Sequence, residues 1–191
     1  MAAMVEQVSA QVFMPLTIGG GITSVADMQR ILRAGADKTA INSAAVANPE
    51  LIRAGAEKFG NQCIVVAIDA AWDAAAGQYR VYTHGGQQAT DLDAVAWAKQ
   101  AVALGAGELL VTSMDRDGTK AGFDTKLYQA LGATVNVPII ASGGAGNLQD
   151  FVDVFSTTPV DGALAASVFH FGELTIADVK ATLRKQGVVV R

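Results

Sequence analysis

The chain is poor in cysteine, in histidine and in basic charge, and each shortage excludes something. Cys63 is the only cysteine in 191 residues, so no intramolecular disulfide can form and a reducing, cytoplasmic setting is expected. Opening a buried strand, it reads as a core residue and not as a nucleophile. Lys and Arg total 14 against 18 Asp and Glu, a net charge of −4, which offers nothing to nucleic acid or to an anionic membrane. No stretch approaches the ~20 apolar residues of a membrane span, and the N-terminus lacks the basic and apolar regions of a secretory leader. The two histidines, His84 and His170, have no Cys or His at ligand spacing, which argues against zinc. They read as a loop residue and as a packing or capping residue near the last strand. Asp115-Arg116-Asp117-Gly118 starts like a calcium loop, but Thr119 and Lys126 stand at its fifth and twelfth positions, where oxygen donors and a bidentate glutamate are needed. No metal and no cofactor is expected.

What the chain does have is a repeat. Pro15-Leu16-Thr17-Ile18-Gly19-Gly20-Gly21-Ile22-Thr23-Ser24-Val25-Ala26-Asp27 lies over Pro138-Ile139-Ile140-Ala141-Ser142-Gly143-Gly144-Ala145-Gly146-Asn147-Leu148-Gln149-Asp150, 123 residues on. After a one-residue slip, Asp37 to Ser43 lies over Asp161 to Ser167. Each copy reads as strand, glycine turn, helix and a second strand ending in Ser. The segment from roughly 62 to 137 has no earlier counterpart, as if the first two units of a duplicated array were missing.

Short apolar runs alternate with amphipathic stretches, the pattern of βα units on a parallel sheet. Strands are expected at 15–18, 38–42, 63–68, 108–113, 138–141 and 161–165. Asn48-Pro49 should open a helix, and Asp91, Asn147 and Thr175 are further candidate caps. Val25, Met28, Ile31 and Leu32 share one helical face, as do Ile176, Val179 and Leu183. Residues Met1 to Phe13 carry Met4, Val5, Val8 and Val12 at helical spacing, and a small hairpin is expected between Asp69 and Asp91. The reading is a single α/β domain over 1–191, of incomplete TIM-barrel type, with about six parallel βα units and an N-terminal helix. The outermost strands, 15–18 and 161–165, would present unpaired edges, and self-association is expected through them.

Polar and glycine residues cluster at the C-terminal ends of these strands, where parallel barrels build their sites. Gly19-Gly20-Gly21 with Asn42-Ser43, and Gly143-Gly144 with Ser167, form two matched groups. Glycine lets backbone approach an anion closely, so the pair suits a ligand with a phosphate at each end. Asp69, at the end of an apolar strand on that face, is a candidate acid or base. Thr112 to Thr119 reads as a substrate-contacting loop.

These residues, with Gly35-Ala36-Asp37-Lys38, Val66-Ala67-Ile68-Asp69, Gly107-Glu108 and Ala163 to Gly172, closely resemble the cyclase subunit of imidazole glycerol phosphate synthase. The resemblance implies a (βα)8 barrel of histidine biosynthesis, with a glutaminase as partner. That family joins ammonia to a bisphosphorylated ribulosyl aminoimidazole carboxamide nucleotide. The products are imidazole glycerol phosphate and an aminoimidazole carboxamide ribotide. Carried over, Asp69 matches the general acid. Gly20, Gly21, Asn42 and Ser43 match one phosphate site. Thr112, Asp117, Gly118, Gly143, Gly144, Ala166 and Ser167 match the other and its surroundings. Lys38 and Glu108 match two members of the charged ring through which ammonia enters. The family's general base lies on a first strand that has no counterpart in this sequence, so these residues alone are expected to be inactive. The alternative is a non-catalytic, self-associating barrel fragment that keeps both phosphate sites and binds a bisphosphate, phosphate or sulfate.

Overall fold

The computed structural model describes residues 2–191. Among them six parallel strands, each followed by helix, give the α/β architecture of an incomplete TIM barrel, and an antiparallel hairpin interrupts the third unit. The residues fall into two compact units: those up to Ala67 with Lys99–Leu109, and Ile68–Ala98 with Leu110–Arg191.

In the first unit, α1 (Ala2–Ser9) precedes β1 (Thr17–Gly19), α2 (Val25–Arg33), β2 (Lys38–Ile41), α3 (Ser43–Ala47), α4 (Glu50–Phe59) and the start of β3 (Ile64–Asp73). The order is β1-β2-β3, with Thr17 opposite Lys38 and Thr39 opposite Ile64. Met28 and Ile31 of α2, Ile52 of α4 and Ile64 to Val66 of β3 form its core, all nearly inaccessible. Val25 and Leu32, expected on the same face, are half-buried. The N-terminal helix is shorter than its apolar spacing suggests. Val5 alone is buried within it, Met4 and Val8 are exposed, and Val12 lies beyond its end; Met1 lies outside the described residues.

In the second unit, the rest of β3 is followed by β4 (Gln78–Thr83), β5 (Gln88–Asp93), α5 (Ala94–Ala103, its last residues in the first unit) and β6 (Glu108–Ser113, its first two residues in the first unit). Then come α6 (Thr125–Gly132), β7 (Ile139–Ser142), α7 (Leu148–Thr157), β8 (Gly162–Leu164), α8 (Ser167–His170) and α9 (Ile176–Lys185). The order runs β3-β6-β7-β8.

The repeat in the sequence is a repeat of hydrogen bonds. The Leu16 N–H donates to Asp37 at 2.7 Å and the Ile139 N–H to Asp161 at 3.1 Å, each carboxylate pinning a strand to its neighbour. Asp27 accepts from the Thr23 N–H and the Ser24 hydroxyl; Asp150 accepts from the N–H groups of Gly146 and Asn147. Ser24 and Asn147 in turn cap α2 and α7. The Ser24 hydroxyl first, then the Thr23 N–H, pull the Asp27 carboxyl down to about 2, because both stabilise its charged form. At an exposed helix start this support is complete above the ordinary carboxylate range and fades as pH falls towards 2.

Several local expectations shift. Asn48 does not cap α4; Pro49 holds that position. Asp91 lies within β5, and Asp93 makes the bond to the Ala96 N–H at 2.8 Å, because the hairpin carries the chain two residues further before the helix begins. Thr175 caps α9 as expected, and Val179 and Leu183 are buried, but Ile176 is exposed. Cys63 is half-buried in a short 3-10 turn before β3, not in the core strand. His84 sits in the β4–β5 turn, and His170 is an exposed residue ending α8.

Candidate functional site

In the second unit, the loops after β6, β7 and β8 enclose a cavity of about 180 Å³. Asp117, Gly118, Gly143, Gly144, Ala166 and Ser167 all line it, joined by Lys120 and Ser142. Six sequence-chosen residues from three separate loops therefore meet in one place. The loops are tied together by backbone: the Asp117 N–H donates to the Ser113 carbonyl at 2.9 Å and the Gly122 N–H to the Gly144 carbonyl at 2.9 Å. From behind, the Tyr128 hydroxyl donates to the Ser142 carbonyl at 2.8 Å and accepts from the Ser142 N–H at 3.1 Å, fixing the end of β7. Burial pushes that phenol well above its ordinary pKa, so it remains a neutral donor.

The charges around the cavity are Asp117 and Lys120. Lys120 is held in a left-handed conformation (φ 56°), and its Nζ lies 2.5 and 2.7 Å from the two Glu173 oxygens. An anion in the cavity would draw on the same ammonium. Thr112, on β6, is half-buried and is not part of the lining.

In the first unit, Gly20 and Gly21 turn the chain after β1 with φ of 91° and 69°. Asn42 and Ser43 end β2 and open α3. Since Gly19 pairs with Ala40, the parallel register carries both pairs to the same end of the two strands. At the opposite end, Lys38 and Glu108 form an ion pair of 2.5 Å with Glu108 buried. They start β2 and β6, on either side of the start of β3, and only two long side chains can bridge that ~10 Å.

Asp69 is half-buried and does not end its strand. β3 runs four residues further because β4 pairs with it antiparallel from Asp69–Tyr82 to Asp73–Gln78. The backbone that carries the carboxylate is thus held on both sides of Asp69 by strand pairing.

One hub carries no sequence signal of its own. Asp124 is buried and accepts from the Ser113 hydroxyl at 3.1 Å, the Tyr79 hydroxyl at 3.0 Å and the Leu127 N–H at 3.2 Å, capping α6. Burial first, then the adjacent Asp124 charge, push the Tyr79 phenol up. Its partner Tyr79 lies 45 residues away on the hairpin, beyond the reach of any local sequence pattern.

Parallel βα units with a glycine-lined cavity at the C-terminal ends of the strands place the chain in the class of TIM-barrel-type proteins. The profile of the family described as "Histidine biosynthesis protein" matches residues 1–175. The imidazole glycerol phosphate synthase subunit HisF of Limosilactobacillus fermentum is 65% identical over 188 residues, 98% of this chain and 72% of that protein. The subunits of the same name from Lacticaseibacillus paracasei and Geobacillus thermodenitrificans are 64% and 58% identical, over 98% and 100% of this chain and 74% and 76% of theirs. The chain belongs to the histidine biosynthesis protein family, among the HisF cyclase subunits of imidazole glycerol phosphate synthase.

Proposed function

We propose that these residues serve the cyclase reaction of imidazole glycerol phosphate synthase. The observation that carries the reading is the convergence of Asp117, Gly118, Gly143, Gly144, Ala166 and Ser167 on one small cavity. Its glycine backbone and the neighbouring Lys120 suit one phosphate of a bisphosphorylated nucleotide. The turn at Gly20–Gly21 and the Asn42–Ser43 strand end suit the other. Asp69, fixed by the β3–β4 pairing, acts as the general acid, giving its proton as the ring closes. The Lys38–Glu108 pair marks where ammonia from a glutaminase would enter. The general base implied by the family resemblance has no counterpart among these residues. A polypeptide limited to them is expected to cyclise about 10²–10⁴-fold more slowly than the Limosilactobacillus relative. The test is ammonia-dependent loss of the nucleotide at high protein concentration. Asp69→Asn should abolish the residual turnover while leaving nucleotide affinity within about twofold, since truncating only the proton donor removes a transition-state interaction. Undiminished turnover by Asp69→Asn would refute its role.

The strand edges favour self-association as a second property. β1 and β8 each pair with one neighbour only among the described residues. Phe13 and Met14, just before β1, are 93% and 68% exposed. Open, apolar edges invite another chain. Light scattering across micromolar concentrations should give a dimer or larger; a monomer throughout would contradict this.

A further inference from the structure

The second unit holds another, larger cavity, of about 870 Å³, on the side of the hairpin away from Asp69. The register settles the side. Trp72 pairs with Tyr79 and Ala70 with Val81, and paired side chains share a face, while Asp69 and Ala71 take the opposite one. Its volume is that of a small-molecule pocket.

Trp72 and Tyr79 form its aromatic wall, with ring centroids 5.1 Å apart at 69°. The Tyr79 hydroxyl is anchored on Asp124 at 3.0 Å, so the wall is pre-formed. Trp72 nevertheless leaves 51% of its surface exposed, an unusual place for so large an apolar ring. The carboxylates in the lining are already engaged: Asp115 accepts from the Trp72 N–H at 2.7 Å, and Asp124 from Ser113, Tyr79 and Leu127. The cations are not. Arg116 donates to the Ala121 carbonyl at 3.3 Å, and neither it nor Lys126 has an ion-pair partner among the described residues. The cavity thus offers the half-exposed Trp72 ring beside two positive charges that have no ion-pair partner among the described residues.

We propose that this cavity binds a nucleoside monophosphate, with the planar base against Trp72 and the phosphate between Arg116 and Lys126. Stacking is tolerant of base identity, whereas the phosphate needs the two cations. The site is separate from the one proposed for cyclisation.

Calorimetric titration with AMP tests it, with adenosine and inorganic phosphate as partial probes. AMP should bind saturably, and each partial probe at least tenfold more weakly. Trp72→Ala and Lys126→Glu should each weaken AMP binding at least tenfold, and Ser167→Glu, in the other cavity, should leave it unchanged. Lys126 is exposed, so its variant reads the site even if Trp72→Ala perturbs the hairpin. No saturable AMP binding, undiminished affinity in Lys126→Glu, or loss confined to Ser167→Glu would overturn the proposal.

Discussion

Gly144→Ala is expected to destabilise the chain by about 3–5 kcal/mol, whereas Gly21→Ala, at the equivalent point of the repeat, should cost only about 1–2 kcal/mol. Both glycines have positive φ, 106° and 69°, so both substitutions carry backbone strain. They differ in what surrounds them. A Cβ at Gly21 meets nothing within 4 Å, while at Gly144 it strikes the Gly122 carbonyl and comes within 3.0 Å of the Arg116 Cβ. Gly122 is backbone, and it donates its N–H to the Gly144 carbonyl, so relief means separating the two loops that wall the 180 Å³ cavity. Paired denaturant titrations measure the difference. Equal shifts in the two variants would show that the cavity loops are not packed as described.

Asp124→Ala should cost about 3 kcal/mol. It removes the cap of α6, worth about 1 kcal/mol, and a charged acceptor shared by two hydroxyls, worth about 1.5–3 kcal/mol in all. Ser113 is fully buried and would keep an unsatisfied hydroxyl. For a chain of this size the midpoint of thermal unfolding should fall by roughly 6–12 °C. Asp124→Asn keeps an acceptor oxygen for the cap and should cost about half as much. With the carboxylate charge gone, the Tyr79 phenol should also ionise at lower pH in Asp124→Asn, because that charge is one of the causes holding its pKa up. A loss below about 1 kcal/mol in Asp124→Ala would mean that the hub does not join the hairpin to α6 in solution.

The contrast between these two residues shows what was legible in the sequence. Repeated local devices were: the positive-φ glycines after β1 and β7 and the caps of α2 and α7 recur at one offset, the aspartates just before β2 and β8 recur one residue further on, and each acts within a few residues or on an adjacent strand. Asp124 was not, because its burial depends on a tyrosine from a hairpin whose position is set by pairing with β3. The same pairing explains why β3 overruns its expected end. The strand expected at 63–68 continues through Asp69 to Asp73 because β4 supplies partners for those residues. The helix at the N-terminus was legible in type but not in length, since a single valine of its apolar set, Val5, is buried.

We propose that the loops after β6, β7 and β8 hold one phosphate of the cyclase substrate. Calorimetric titration of the bisphosphorylated ribulosyl aminoimidazole carboxamide nucleotide into the chain and into Ser167→Glu tests it most directly. A carboxylate placed on the wall of a 180 Å³ cavity should repel the phosphate and weaken binding at least tenfold, about 1.4 kcal/mol or more. Equal affinity in the two proteins would mean that no phosphate of the nucleotide sits in this cavity.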